Sequence, residues 1–143
     1  MSKYVVTAVH PIYVPVIWQQ VADYISDAIS YSNGEKDIQH VYDELMNGDS
    51  NLVIIYFEQT IYGAAILSKR IFDTGKSALF VSLLGGINMN EWIEDAHFVA
   101  NKIAKDLCCD SIYCVGRQGW EKALKGIGYD KAYTILSIEV NHE

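Results

Sequence analysis

No apolar run in these 143 residues approaches the roughly 20 that a membrane-spanning helix needs. The longest, Leu52–Phe57 and Ala78–Leu84, have the length of strands. The opening Met1-Ser2-Lys3-Tyr4 lacks the long apolar core of a secretory signal. Together these absences point to a soluble cytoplasmic protein, or one packaged in an assembly built in a cytoplasm. Cysteine is scarce too. Cys108, Cys109 and Cys114 are an odd number, two are adjacent, and no Cys-x-x-Cys pair exists. That excludes a disulfide framework and a thiolate metal clamp, leaving all three expected as buried thiols that behave as small apolar residues. His10, His40, His97 and His142 are scattered, so no metal site follows from them. There is no Ser-His-Asp pattern, NTPase-type phosphate loop or dinucleotide fingerprint.

Cations are the other shortage. Lys and Arg number 11 against 18 Asp and Glu, a net charge of −7. Residues 21–58 hold eight acidic residues against Lys36 alone, so this stretch by itself carries −7. No Lys or Arg occurs from Ser77 to Asn101. Nucleic-acid binding needs a basic footprint and is disfavoured. The acidic block is either a solvated helical face or a surface suited to a basic partner.

What is present is a core. Half the residues are hydrophobic, enough for one folded domain over 1–143. Lys3–Val9 reads as a first strand. Val14–Ser30 repeats Ile17, Val21, Tyr24, Ile25 and Ala28 at helical steps, with Pro15 in the first turn. Asp37 caps a second helix with Ile38, Val41, Tyr42 and Leu45 on one face, stopped at Asn47-Gly48. Asn51–Glu58, Ile61–Phe72 and Ser77–Leu84 form an antiparallel meander, with Gly63 marking a bulge or a close backbone approach. Asn88 opens a long helix, and Asn88-x-x-Glu91 reads as a variant capping box. Ser111–Val115 is a strand, Trp120, Leu124 and Ile127 mark a short helix, and Ala132–Val140 is a last strand. The helix between Leu84 and Ser111 demands a crossover, which makes its flanking strands parallel neighbours. The expected class is α/β: a single-domain mixed sheet with helices on both faces, in the order β-α-α-β-β-β-α-β-α-β.

That order resembles the GCN5-related N-acetyltransferase (GNAT) fold over nearly the whole chain. The resemblance implies a gap between the fourth and fifth strands that receives acetyl-CoA. It also implies a pyrophosphate site on backbone amides at the next helix start, where free N–H groups and a positive helix end favour an anion. The family loop reads Gln/Arg-x-x-Gly-x-Gly/Ala. The matching stretch here is Leu84-Gly85-Gly86-Ile87-Asn88-Met89-Asn90, with different glycine spacing and no cation. On this resemblance Leu84, Gly85, Gly86, Asn88 and Asn90 are the cofactor-binding candidates. A second resemblance rests on Val115-Gly116-Arg117-Gln118-Gly119-Trp120, Leu124 and Gly128-Tyr129. It extends to Gly34, the Val41-Tyr42-x-x-Leu45 helix ending at Gly48, and Gly85 to Trp92. These segments look like small bacteriophage and prophage proteins of GNAT-like fold, similar in fold to an internal virion protein of short-tailed phages.

Individual candidates follow. Tyr129 falls near where the family places a tyrosine acid for the leaving thiolate; the plain alternative is a packing tyrosine, with Tyr133 as fallback. Glu58 and Asp73 are candidates for a base, against the reading of solvated rim charges. His97 lies near the apolar stripe of the long helix and reads as a satisfied histidine. Arg117 ends the fifth strand and suits a phosphate or carboxylate, or a structural ion pair. Trp120 is a core or partner contact.

Three functions stay open. The first is a phage-type module without efficient acetyl transfer, packaged in a virion or acting on a host protein in the host cytoplasm, with no firm cofactor. The second is an N-acetyltransferase that takes acetyl-CoA and a basic amine. The third is an acidic inhibitor of a nucleic-acid-binding host protein. Oligomeric state is not legible, although Ile61–Phe72 is long and tyrosine-bearing enough to be an edge that pairs with a second copy.

Overall fold

The computed structural model describes residues 2–116 and 118–142. Strand β1 (Val5–Val9) leads through a short 3₁₀ turn into α1 (Val14–Ile29) and α2 (Ile38–Asn47). Then come β2 (Asn51–Phe57), β3 (Thr60–Ile71) and β4 (Ser77–Gly86), followed by α3 (Met89–Asp106), β5 (Ser111–Cys114) and α4 (Gln118–Lys125). The five strands lie in chain order, β1-β2-β3-β4-β5. The first four are antiparallel to one another, and β5 runs parallel to β4, as the α3 crossover requires. This is the expected α/β mixed sheet with helices on both faces.

Alternation along the central strands builds two cores. Leu52, Ile54, Ala64, Ile66 and Leu83 face α1 and α2, where they meet Val21, Ile25, Val41 and Leu45. Val53, Ala65, Leu67, Leu79 and Val81 face the other way, onto Ala100, Ile103 and Ala104 of α3. A third cluster joins Ile55 to Trp92 and Ile93 of α3, with Leu124 and Ile127 packed against it. Strands that are apolar on both faces are those of a covered sheet. Each fully buried aliphatic side chain contributes about 1.5–3 kcal/mol.

The caps follow their residues. The Asp37 carboxylate accepts from the His40 amide at 3.3 Å, and Gly48 ends α2 at φ 83°, where a side chain would be strained.

Four expectations need correction. Residues 132–140 form no strand: they are exposed throughout and pair with no strand among the described residues. Their composition favours a strand, but a strand exists only where a partner edge lies within hydrogen-bonding reach. Cys108 is exposed, because it sits in the turn after α3 at φ 58°; Cys109 and Cys114 are half-buried. β3 is central and not an edge, so Ile61–Phe72 offers no pairing surface. The free edges belong to β1 and β5. The Asn88 capping box does not form either, for reasons that emerge at the site. Among the described residues, no helix is long and apolar enough to cross a membrane and no group of three or more His, Cys, Asp or Glu is placed to hold a metal.

Candidate functional site

β4 and β5 run together only from the Ala78–Ser111 pair to the Val81–Cys114 pair, with one further bond from the Val115 amide to the Val81 carbonyl at 3.1 Å. Beyond that point β4 continues to Gly86 with no strand on this side among the described residues, while α4 begins at Gln118. The separation coincides with a bulge. Leu67 pairs with Val81 and Ile66 with Leu83, so Ser82 is an extra residue, and its hydroxyl donates to the Ile66 carbonyl at 3.3 Å. A bulge bends its strand and increases the local twist, and here it turns β4 away from β5. The result is a wedge with an unpaired backbone edge along one wall.

Three reactive side chains from distant parts of the sequence meet in this wedge. Tyr129, just after α4, places its hydroxyl 3.0 Å from His97 Nδ1 in α3, and the two rings meet edge to face at 5.2 Å. Cys114, the last residue of β5, lies beside both. Burial holds the Tyr129 phenol well above the usual tyrosine range, and the neighbouring Cys114 adds to the shift. Burial likewise pushes the Cys114 thiol up to about 11, slightly offset by its hydrogen bond with Tyr129. The phenol kept protonated has one O–H, and the histidine tautomer sets which partner donates in its bond with His97 Nδ1. The cluster lines an apolar space of about 40 Å³ under Leu84, Ile93 and Leu124. That is room for roughly three water-sized spheres.

The loop into α3 was expected to cradle an anion. Gly85 is buried, and a Cβ there would run into the Tyr24 carbonyl of α1. A Cβ on Gly86 would meet the Tyr62 carbonyl at 2.5 Å, the Gly63 Cα at 2.7 Å and the Trp92 ring at 2.9 Å. Both glycines therefore serve close packing of α1, β3 and α3. Gly63 takes part in the same contact, since a Cβ on it would lie 2.8 Å from Trp92. It also stands beside a skipped residue, because Ile55 pairs with Gly63 and Tyr56 with Ile61. Both readings offered for Gly63 thus hold.

The Ile87 amide donates to the Tyr62 carbonyl at 2.8 Å, and the Ile87 carbonyl accepts from the Trp92 indole at 2.8 Å. Asn88 is left-handed at φ 56° and makes no side-chain cap, so the capping geometry cannot form. Glu91 instead accepts from the Tyr4 hydroxyl at 3.2 Å, which helps hold the Tyr4 phenol above its ordinary pKa, after the larger effect of desolvation. The amides of Met89 and Asn90, in the first turn, have no intrahelical acceptor and remain the donors available to an anion. Asn88 and Asn90 are exposed there.

A second space, about 450 Å³, opens on the α1 face of the sheet. Leu84 lines both spaces. Asp27 and Glu35 stand on one side of the larger space, with Lys36 nearby and Arg70 stacked 4.1 Å over Phe80. Among the described residues no ion pair joins these four charges.

Of the expected site residues, the wedge brings together Leu84 and Tyr129. It uses Gly85 and Gly86 for packing and leaves Asn88 and Asn90 at its far rim. Arg117 lies outside the described residues. Glu58 and Asp73 are exposed in turns and line neither space. Trp120 lies against Gly116, where a Cβ would come within 2.9 Å of its ring. Cys114 and Ser82 were not anticipated. Nothing local marks them, because Ser82 matters through a bulge and Cys114 through where β5 stops.

No family model matches the sequence, and no curated protein matches it. The fold does have solved counterparts. A ribosomal-protein-alanine N-acetyltransferase from Brucella melitensis biovar Abortus 2308 superposes with a TM-score of 0.71 at 12% identity, covering 96% of this chain and 99% of that one. The aminoglycoside acetyltransferase meta-AAC0020, from an uncultured soil metagenomic sample, gives 0.71 at 11% identity over 99% and 97% of the two chains. The aminoglycoside N-acetyltransferase AAC(6')-Iy, solved with CoA, gives 0.71 at 10% identity over 99% and 97%. At these identities the likeness establishes the fold: the chain is built as a GNAT-type α/β domain.

Proposed function

We propose that the chain is an N-acyltransferase that moves an acetyl group from acetyl-CoA to a small basic amine, with the chemistry in the wedge between β4 and β5. The observation that carries this reading is the Tyr129 hydroxyl, kept protonated by burial and fixed by His97, beside the unpaired edge of β4. The overall reaction breaks the thioester C–S bond, forms an amide C–N bond and returns a thiol. Tyr129 supplies the proton that the departing sulfur takes up, and a positioned acid of this kind contributes roughly 10²–10⁴-fold. The free edge of β4 beyond Val81 offers backbone groups to an extended ligand in the manner of an added strand. In this reading the ligand's phosphates take the free amides of Met89 and Asn90 at the start of α3. Asp27 and Glu35 are the carboxylates available to a cationic amine in the 450 Å³ space, where Lys36 and Arg70 balance their charge.

The donor site is only partly built. The loop glycines are occupied by packing, no cation stands between Ser77 and Asn101, and about 40 Å³ does not admit a pantetheine arm. Entry requires the side chains that line this space, Leu84 and Leu124 among them, to make room. Weak donor binding follows, held by amides without a countercharge. The test is thiol release from acetyl-CoA in the presence of basic amines, for the wild-type chain and Tyr129→Phe.

The closed wedge also favours a second reading: a GNAT-fold module of the phage type that binds a virion or host protein and transfers nothing. That reading predicts no acetyl-CoA binding at any concentration that stabilises a working transferase.

A further inference from the structure

The space of about 450 Å³ on the α1 face carries charges of both signs. Asp27 and Glu35 bring carboxylates to its lining, and Lys36 and Arg70 bring cations. None of the four belongs to an ion pair among the described residues. A lining that is unpaired yet balanced in charge gives little net pull on a plain cation. It matches a ligand that itself carries one charge of each sign.

Arg70 is the most firmly placed of these groups. Its guanidinium carbon lies 4.1 Å from the centre of the Phe80 ring. That ring is a fixed platform: Phe80 is 5% exposed and meets Tyr113 at 5.1 Å and Phe72 at 6.4 Å. A guanidinium held over a ring keeps its edge of N–H donors for a carboxylate, which it grips at two points. Ser32 lines the same space, and its hydroxyl oxygen is buried with no hydrogen-bond partner among the described residues. A buried hydroxyl left unpartnered costs free energy that a carboxylate oxygen recovers by accepting its proton. Much of the remaining lining is apolar or aromatic, with Leu83, Tyr31 and Tyr133 among it. The volume lies in the range of small-molecule sites.

We propose that the acceptor is an amino acid with an apolar side chain. Arg70, with Lys36, takes its carboxylate, and Asp27 and Glu35 face its ammonium group. This rests on the acyltransferase reading and narrows its amine to a zwitterion. The carboxylate fixes the molecule, and the apolar lining receives its side chain. For transfer the ammonium group first sheds a proton. The amine then forms the C–N bond, the thioester C–S bond breaks, and the second proton lost by nitrogen balances the one the thiol takes up. An amine whose carboxylate is absent or masked leaves Arg70 without a counterion and binds more weakly.

The experiment follows thiol release from acetyl-CoA with phenylalanine, phenylalaninamide and phenethylamine as acceptors. It uses the wild-type chain and Arg70→Met, which keeps an unbranched stem over Phe80. The expected kcat/KM for phenylalanine is at least about tenfold above that of either analogue, the scale of a lost hydrogen bond to a charged group. Arg70→Met should abolish that preference through KM. Equal use of the three acceptors overturns the proposal, and so does a preference that survives in Arg70→Met. Should Arg70→Met misfold, the three acceptors compared on the wild type decide. Where no acceptor releases thiol, the acyltransferase reading fails, and calorimetric titration without acetyl-CoA decides for the site. Tighter binding of phenylalanine than of phenylalaninamide, lost in Arg70→Met, supports the zwitterion site. Equal or absent binding overturns it.

Discussion

Tyr129 and Cys114 are held in their neutral forms by the same pocket, and that gives the site a signature in solution. Both groups have folded pKa values above their ordinary ones, Cys114 moving from 9.0 to about 11. The folded chain therefore holds protons that the unfolded chain releases above pH 9. The thiol's contribution to stability is complete below pH 9 and is lost as pH rises through about 11, while the phenol's is complete below pH 10 and is lost at higher pH. The thiol's share is on the order of 2 kcal/mol. Melting temperatures across pH 8–11 should fall through this window for the wild type, and fall less for Cys114→Ala. Tyr129→Phe keeps the ring and removes the bond to His97. It should cost about 1 kcal/mol of stability and at least about 100-fold in acetyl transfer, read by melting and by thiol release. These residues show how far sequence reasoning reaches at this scale. Tyr129 was singled out only through the family resemblance, beside the plainer reading of a packing tyrosine, and His97 was recognisable as a satisfied residue on an apolar stripe. Cys114 was hidden, because its role depends on where β5 ends.

At the scale of elements, helices and strands were legible wherever one residue pattern decides the outcome. The 3.6-residue repeats gave α1, α2 and α3, and Asp37 and Gly48 bound α2 as their chemistry dictates. The Gly85-Gly86 pair was harder, because glycine signals close approach without saying to what. Here the approach is to the Tyr24 carbonyl, β3 and Trp92, so Gly85→Ala should force α1 off the sheet. The expected loss is about 1–3 kcal/mol, typical of overpacking, measured by denaturant unfolding. Asp37→Ala should cost about 1 kcal/mol through the lost cap, with no effect on the wedge. Asn88 misled because a capping residue needs extended backbone, and the left-handed turn out of β4 denies it. The 132–140 strand misled for a different reason: propensity is local, while pairing needs an edge within hydrogen-bonding reach of that segment.

For the whole molecule, residues 21–58 carry net −7, and Asp27 and Glu35 from this stretch line the 450 Å³ space with Lys36 and Arg70. Attraction of a cationic amine to that side should weaken with added salt, as exposed charges are screened within about 10 Å at 0.1 M. A Michaelis constant for the amine that rises from low to high ionic strength is the expected kinetic sign. The GNAT architecture was visible in the order of its elements, whereas the state of the wedge was not, since it depends on how β4, α3 and α4 settle together. Whether this wedge opens for an acyl donor is the central claim. Thermal unfolding with and without acetyl-CoA tests it most directly, on the wild type and Tyr129→Phe together. Stabilisation of both chains, approaching about 2.7 kcal/mol near 100 times the dissociation constant, with turnover only in the wild type, is the predicted result. No stabilisation of either chain at millimolar acetyl-CoA contradicts it.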